Sequence, residues 1–137
     1  MCPGSIDDGL AGKRAALINV WRPIVGPVQD FPIAICDART ALADDFIPTR
    51  IEHFLEDNLD SPHLVGEIYN FSHNSGHKWF YVSNMQPHEA LLLKCYDSMH
   101  DNYACFTGHT GFRNPDSPSD ADPRQSIEVR TLVIFDG

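Results

Sequence analysis

Short blocks of apolar residues, separated by polar turn residues, run along most of this chain. Most blocks are rich in β-branched and aromatic side chains, which favour β-strands. A helical spacing of apolar positions occurs where Ile51, Phe54 and Leu55 follow Thr49, a residue type that caps helices. The pattern therefore predicts one helix, over residues 48–55. Strands are predicted over residues 16–25, 31–36, 64–71, 77–84, 91–96, 103–112 and 126–135.

The order and spacing of these segments predict how they pair. A polar link at residues 72–76 joins the segments 64–71 and 77–84, a length typical of a β-hairpin. About seven short strands with turn signals between them predict a mainly β, jelly-roll fold with one or two short helices. All 137 residues are predicted to form a single domain. Within it, residues 1–14 are expected to be a flexible lead-in, and the proline- and aspartate-rich residues 114–124 an exposed loop.

The charge of the chain argues against two classes of partner. Ten Lys and Arg against nineteen Asp and Glu give a formal net charge of −9, which repels nucleic-acid phosphates and anionic membrane surfaces. No apolar run is long enough to span a bilayer and no secretory leader is recognised, so a cytoplasmic protein is expected.

The four cysteines, Cys2, Cys36, Cys95 and Cys105, show no Cys-x-x-Cys spacing. They are predicted to be reduced thiols rather than a disulfide framework or a zinc site.

Strand alternation places candidate chemistry in the segment 126–135. Side chains two residues apart share a face, so Ser126, Glu128 and Arg130 lie together on one side of the strand. One interpretation is an ordinary solvated face of an antiparallel sheet. The other is that Arg130 points into the mouth of a barrel, held by Glu128, where its guanidinium binds a ligand carboxylate.

Two further titratable residues are candidates for a site. His109 is flanked by small residues that allow close approach, although a histidine in a strand is more often a hydrogen-bonded structural residue. Asp97 ends an apolar strand as either a turn cap or a buried base. His73 and His77 have the spacing that a helix needs to bind one metal ion, but the hairpin context of Gly76 argues against a helix there.

The aromatic residues have the same two interpretations. Trp79 and Tyr81 share one strand face, and Trp21 lies in another apolar strand beside Arg22. Packing in the core is the simpler interpretation for these rings, and an aromatic wall for a ligand is the alternative. Arg22 is a cation within an apolar strand, so it needs either a carboxylate partner or solvent.

Seven segments, taken together and in this order, resemble the fungal AsaB-type hydroxylase/desaturase family. That family includes gibberellin desaturase and cephem-methoxylase-like (CmcJ-like) proteins, which are placed among the iron(II)/2-oxoglutarate oxygenases. The resemblance covers only the C-terminal half of the family's length. The segments are Asn19-Val20-Trp21-Arg22-Pro23-Ile24, Gly26-Pro27-Val28, Phe31-Pro32-Ile33-Ala34-Ile35-Cys36-Asp37, His77-Lys78-Trp79-Phe80-Tyr81, Lys94-Cys95-Tyr96-Asp97-Ser98, Gly108-His109-Thr110-Gly111-Phe112 and Ser126-Ile127-Glu128-Val129-Arg130.

The resemblance implies a partial double-stranded β-helix of the jelly-roll or cupin-like type. It implies that His109 matches the distal iron-binding histidine and that Arg130 matches the arginine that binds the 2-oxoglutarate carboxylate. It also implies a small-molecule substrate, a polyketide-, terpenoid- or alkaloid-like secondary metabolite.

The chain departs from the family at the iron site. The family's first two iron ligands come from a His-x-Asp or His-x-Glu motif, and a facial triad needs both of them besides the distal histidine. No histidine of this chain is followed two residues later by a carboxylate. The residues at those positions are Leu55, Val65, Ser75, Trp79, Ala90, Asn102 and Gly111.

Three hypotheses follow from this departure. The favoured one is a tailoring enzyme without metal or cofactor that carries out isomerase, cyclase or dehydratase chemistry. In the second, an iron(II)/2-oxoglutarate hydroxylase or desaturase gains its missing ligands elsewhere in the chain or across a dimer, and His109 binds the iron. The third is a non-catalytic binding subunit or a decayed gene fragment.

These hypotheses share one set of candidate residues and one oligomeric state. A homodimer is predicted because a partial barrel leaves a sheet edge or an apolar face uncovered. The predicted catalytic residues are His109, Asp97, Arg130 and Tyr81. The predicted substrate-binding residues are Trp79, Trp21, Arg22 and Glu128.

Overall fold

The computed structural model of the chain describes residues 12–99 and 104–136. This part of the chain is mainly β, as predicted, and two single-turn 3-10 helices, Ala38–Thr40 and Ala43–Asp45, are its helical elements. The strands are β1 (Ala15–Pro23), β2 (Ile33–Cys36), β3 (Phe46–His53), β4 (Leu64–Phe71), β5 (Trp79–Tyr81), β6 (Leu91–Asp97), β7 (His109–Gly111) and β8 (Ser126–Ile134).

The chain divides into two compact units, and that it forms a single domain stays a prediction. Residues 41–76 form the smaller unit, and the segments on either side of them form the larger one. The larger unit contains two three-stranded antiparallel sheets, in the orders β6-β1-β8 and β5-β2-β7. In each sheet the central strand is the most buried one, because it is flanked on both sides by other strands.

The core of the larger unit lies between inward-facing side chains of both sheets. Trp21 of β1, Leu93 of β6 and Ile33 of β2 are buried there together with Val28 and Met85. The backbones of Val28 and Met85 also pair in an isolated bridge, with the Val28 N–H donating to the Met85 carbonyl. The core therefore fixes which face of each sheet points inward.

The smaller unit is built on a β-hairpin of β3 and β4. The predicted helix over residues 48–55 is wrong, because most of that segment lies in β3. Ile47, Thr49 and Ile51 are β-branched, a composition that suits a strand, and each lies opposite a residue of β4 in the register. The edge-to-face contact of Phe46 with Tyr69, at 5.8 Å between ring centroids, adds a cross-strand aromatic pair that helical spacing could not reveal.

The predicted hairpin of residues 64–71 with 77–84 is also wrong. The first segment pairs with β3, whereas β5 pairs with β2. Aromatic composition marks strands but does not select partners, and the partners here are distant in sequence. Within the predicted strands 77–84 and 103–112, the described residues form strands only at Trp79–Tyr81 and His109–Gly111, and residue 103 lies outside the described residues.

Residues 114–124, predicted to be an exposed loop, contain no helix or strand. Most of the predicted lead-in, residues 1–11, lies outside the described residues. Its last residue, Arg14, belongs to the fold, because its carbonyl accepts a hydrogen bond from Phe135 and its side chain binds Asp97.

Cysteine chemistry differs in part from the prediction. Cys36 and Cys95 are free thiols, but Cys105 is disulfide-bonded, so the prediction of reduced thiols is wrong for Cys105. That prediction rested on cysteine spacing and on the lack of a recognised secretory signal, and neither shows which cysteines the fold brings together. Within residues 12–99 and 104–136, no helix has the length and apolar character needed to cross a membrane.

Candidate functional site

A cluster of three polar side chains lies on the inward face of the β6-β1-β8 sheet. Asn19 of β1, which is only 4% exposed, lies directly opposite Arg130 of β8, and Glu128 lies opposite Trp21. The Asn19 side-chain amide donates a short hydrogen bond to Glu128 Oε1, and Arg130 Nε donates to Asn19 Oδ1 over 3.0 Å. We call Asn19, Glu128 and Arg130 the polar triad.

Local sequence explains how the polar triad forms. The alternation of β8 puts Glu128 and Arg130 on one face, and the antiparallel register with β1 brings Asn19 between them. Asn19 uses both ends of its amide, so it holds the carboxylate and the guanidinium in fixed positions. Glu128 was predicted to hold Arg130, but each of them bonds Asn19 instead. The sequence analysis missed Asn19 as the bridging residue.

Cys95 of β6 lies next to the polar triad and was also missed. Burial raises the pKa of its thiol, the Arg130 charge lowers it and the Glu128 charge raises it again. The net shift is upward, so the thiol is protonated at neutral pH. A register shift in β1 at Leu17/Ile18, where β1 pairs with β6, interrupts the regular pairing beside Cys95.

His109 lies on β7, in the second sheet of the larger unit. Its Nδ1 is 3.0 Å from the Thr107 carbonyl oxygen, and because a carbonyl only accepts, Nδ1 carries the proton. In a neutral imidazole with this tautomer, the other ring nitrogen, Nε2, is an acceptor. In the register His109 lies opposite Ile35, which packs against the core, so His109 shares the inward face of its sheet.

Asp97 is held in a dense set of charged contacts. Arg14 binds both carboxylate oxygens, at 3.0 and 2.8 Å, and Lys94 Nζ binds one of them at 2.9 Å. These contacts, with the Met99 backbone N–H, hold the pKa of the Asp97 carboxyl far below its usual value despite burial. A carboxylate that remains charged at neutral pH and is fully bound by cations is poorly suited to acid or base catalysis.

Trp79 and Tyr81 lie on the face of their sheet opposite to His109. Tyr81 is in register with Ala34 and Trp79 with Cys36, whereas His109 and Phe80 are in register with Ile35. Because neighbours along a strand alternate faces, the two rings point away from the side that carries His109. The geometry therefore separates Tyr81 and Trp79 from the predicted catalytic histidine.

Trp21 and Arg22 occupy opposite faces of β1. Trp21 is 3% exposed and belongs to the core, where the Arg124 guanidinium lies 5.5 Å from its ring centroid, within the range of a cation–π contact. Arg22 is exposed on the outward face, and its Nε makes a long 3.5 Å contact with the Pro23 carbonyl. Solvent, rather than a carboxylate, therefore satisfies this cation, one of the two outcomes that its sequence context left open.

A complete metal site is not present among residues 12–99 and 104–136. No group of three or more His, Cys, Asp or Glu side chains there is arranged to hold a metal ion. His109 offers one imidazole nitrogen, whereas a facial triad needs two histidines and a carboxylate. The described residues thus do not by themselves fit iron, while the guanidinium of Arg130 does fit a ligand carboxylate.

Known proteins similar to this chain come from fungal biosynthetic pathways. Aspirochlorine biosynthesis protein N of Aspergillus oryzae is 36% identical over 129 residues, which cover 94% of this chain and 52% of that protein. The hydroxylase/desaturase asaB of Aspergillus flavus is 38% identical over 134 residues, which cover 93% of this chain and 58% of that protein. The chain therefore spans about half the length of the curated relatives it matches.

A solved structure shows the same likeness in three dimensions. The iron and alpha-ketoglutarate-dependent endoperoxidase NvfI is 34% identical and superposes with a TM-score of 0.75 over 93% of this chain and 44% of that protein. The mainly β, partial jelly-roll fold predicted from the sequence is confirmed by this match. The prediction that no cofactor is used is wrong, because relatives with this fold are named for iron and 2-oxoglutarate.

Residues 1–134 also match the family profile described as an oxidoreductase/YMDC permease-like domain. The relatives named hydroxylase/desaturase confirm the resemblance that the motifs between Asn19 and Arg130 predicted. The chain belongs to the oxidoreductase/YMDC permease-like family, alongside fungal hydroxylase/desaturase proteins of secondary metabolism.

Proposed function

We propose that this chain carries the co-substrate-binding part of an iron(II)- and 2-oxoglutarate-dependent tailoring enzyme acting on a small secondary metabolite. The observation that carries the proposal is the polar triad, which holds the Arg130 guanidinium on the inward face of its sheet. A guanidinium forks two hydrogen bonds to a carboxylate, and 2-oxoglutarate offers a carboxylate at each end. The names of the relatives support the same co-substrate.

Each residue of the polar triad has a distinct part in this proposal. Arg130 binds the carboxylate, and Asn19 positions Arg130 by accepting a hydrogen bond from its Nε. Glu128 anchors the opposite end of the Asn19 amide. His109 contributes one imidazole nitrogen on the inward face of the other sheet. Iron, if bound, would supply the oxidising chemistry with dioxygen, and His109 is its candidate ligand among the described residues.

We also propose that the chain works as a homodimer, since the β6-β1-β8 sheet leaves apolar side chains of β8 exposed.

The isomerase or cyclase hypothesis is not favoured by any contact among the described residues. Its proposed base, Asp97, is bound by Arg14 and Lys94, and Tyr81 lies on the opposite face from His109.

Binding of 2-oxoglutarate to the purified full chain, measured by isothermal titration calorimetry, tests the proposal without requiring turnover. Arg130→Gln keeps a polar side chain but removes the charge. It is expected to weaken binding by at least tenfold, since a charge-assisted hydrogen bond contributes about 1.5–3 kcal/mol. Arg22→Gln is the matched control, because Arg22 is exposed on the outward face, and it should bind like the wild type.

Two outcomes would contradict the proposal. One is wild-type protein that does not bind 2-oxoglutarate. The other is Arg130→Gln binding as tightly as wild type while thermal unfolding shows that both proteins are folded. Glutarate, which has the same carbon chain and both carboxylates but lacks the keto group, separates recognition of the carboxylate from recognition of the keto acid.

A further inference from the structure

The outer edge of β8 is a long, unpaired strand edge within the described part of the chain. In the sheet order β6-β1-β8, β8 is paired with β1 along all nine of its residues and with no other described strand. Its apolar side chains remain open to solvent, with Ile127 56%, Val129 55% and Leu132 51% exposed. The strand contains no proline or lysine, two of the devices by which proteins protect an edge from pairing.

The hydrogen bonds at the two ends of β8 show which of its backbone groups face this edge. The Gln125 carbonyl accepts a hydrogen bond from the Ile24 N–H, and the Phe135 N–H donates one to the Arg14 carbonyl. The backbone N–H and C=O groups of the odd-numbered residues of β8 therefore point toward β1. Backbone direction alternates along a strand, and the β1–β8 register has no shift. The even-numbered residues, including Glu128 and Arg130, therefore present their N–H and C=O groups to the open edge.

We infer that two copies of this chain pair antiparallel through β8, with the two-fold axis at Val129. Pairing of two such edges must match even-numbered residues with even-numbered ones, because only these have free backbone groups on that side. Among these registers, the one centred on Val129 places Glu128 opposite the partner's Arg130 and Arg130 opposite the partner's Glu128. Centring on Glu128 or on Arg130 would instead oppose like charges, which is destabilising.

The same register also matches the outward face of the sheet. Leu92, Val20 and Val129 lie directly across from one another on β6, β1 and β8, and Leu92 is 68% exposed. Val129 would meet the partner's Val129 in a non-hydrogen-bonded pair, where side chains approach most closely. Pairing thus joins the two apolar rows into one continuous row. It also places the charged Glu128 and Arg130 side chains, which would otherwise oppose edge-to-edge pairing, in two reciprocal ion pairs. This identifies the interface of the homodimer proposed above.

The partner subunit would also contribute to the polar triad. Each Arg130 would lie between its own Asn19 and the partner's Glu128, so the guanidinium would be held from two sides. The interface does not require 2-oxoglutarate, and carboxylate binding can be measured separately. Failure of one proposal is therefore distinguishable from failure of the other.

Size-exclusion chromatography with light scattering on the full chain, across a range of protein concentrations, tests the pairing. The wild type is expected to be a dimer. Glu128→Arg and Arg130→Glu should each weaken the dimer at least tenfold by opposing like charges, and the double variant should restore it because the opposite charges meet again. Arg22→Glu is a matched charge reversal on β1, away from the edge, and should remain dimeric.

Two cysteine variants test the register, and a proline variant separates loss of pairing from loss of folding. Val129→Cys should form an intermolecular disulfide with oxidised glutathione, since the two positions meet at the axis. Ile127→Cys should not, because its partner copy lies about 13 Å away along the strand. Leu132→Pro removes an edge-facing N–H and should give a folded monomer. A monomeric wild type, a dimer unaffected by either single charge reversal, or cross-linking through Ile127→Cys alone would overturn the inference.

Discussion

At the scale of single residues, Asp97 shows how a charge is kept inside the larger unit. Its side chain is 2% exposed, whereas those of Arg14 and Lys94 keep 33% and 28% exposure. The two cations therefore neutralise the carboxylate while their own charges remain partly hydrated, which lowers the desolvation cost of the cluster. The Arg14 guanidinium also lies over the Phe135 ring, at 4.3 Å from its centroid. Asp97 thus ties β6 to residues near both ends of the described chain.

We expect Asp97→Asn to reduce the free energy of unfolding at pH 7 by about 2 kcal/mol. The estimate lies below that for removing one partner of a fully buried ion pair, because both cations reach solvent. Urea denaturation followed by circular dichroism measures it. Asp37→Asn is the comparison, since Asp37 binds Arg39, whose side chain is 88% exposed, and its loss should be much smaller. An Asp97→Asn protein as stable as wild type would contradict the assignment.

The same residue predicts a pH dependence of stability. The pKa of the Asp97 carboxyl is lowered by folding, so the folded protein binds this proton more weakly than the unfolded chain does. Its stabilising contribution is therefore complete above about pH 4, the ordinary range for aspartate, and is lost as the pH falls toward the lower folded pKa. The stability difference between wild type and Asp97→Asn should shrink below pH 4. A constant difference down to pH 2 would rule this out.

At the scale of elements, the turn after β1 depends on close backbone approach. A Cβ placed on Gly26 would lie 2.6 Å from the Pro87 ring and 3.1 Å from the Met85 carbonyl. The neighbouring Val28–Met85 bridge is part of the core, so neither group moves without disturbing it. A glycine is needed here for space, and the loop that contains Met85 and Pro87 is held against the turn by this contact.

We expect Gly26→Ala to lower stability by about 1–3 kcal/mol, the usual cost of overpacking. Gly66→Ala is the matched control, since a Cβ at Gly66 of β4 meets no atom within 4 Å. That variant should be neutral or slightly stabilising, because alanine reduces the freedom of the unfolded chain. Differential scanning calorimetry of both variants makes the comparison. Equal melting temperatures would show that the turn accommodates a Cβ at position 26 without strain.

At the scale of the whole molecule, the two compact units differ in how well they are supported. The central strands β1 and β2 of the larger unit are paired on both sides, whereas among the described strands β3 and β4 pair only with each other. The hairpin also exposes Ile47, Leu64 and Ile68, between 43% and 58%. A two-stranded hairpin with little buried apolar surface is only marginally stable in water.

Amide hydrogen exchange should therefore separate the two units. The backbone amides of β3 and β4 are expected to exchange at least tenfold faster than those of β1, because local opening of a two-stranded hairpin costs less than opening a central strand. Exchange followed by mass spectrometry, with β1 peptides as the internal reference, measures this. Equal protection in both units would mean that the hairpin opens only with the rest of the fold.

Much of the candidate site could be predicted from sequence because it depends on strand alternation. Glu128 and Arg130 are two residues apart in a strand, so their shared face follows from local geometry alone. Asn19 could not be assigned, because its bridging role depends on a register between segments more than 100 residues apart. Tyr81 was grouped with His109 although their faces differ, since only the pairing of β5 and β7 with β2 relates them.

By itself, the sequence determined the mainly β character of this protein, most of its strand positions and its family, since these depend on local composition and on ordered motifs. Only the tertiary structure decided which strands pair, which side of each sheet faces inward and which charges meet. Most of the segment 48–55, predicted to be a helix, lies in β3, because cross-strand contacts with β4 outweigh the helical spacing of its apolar side chains. The physical reason is that a strand completes its hydrogen bonds with a distant segment, so its partner is a property of the folded chain.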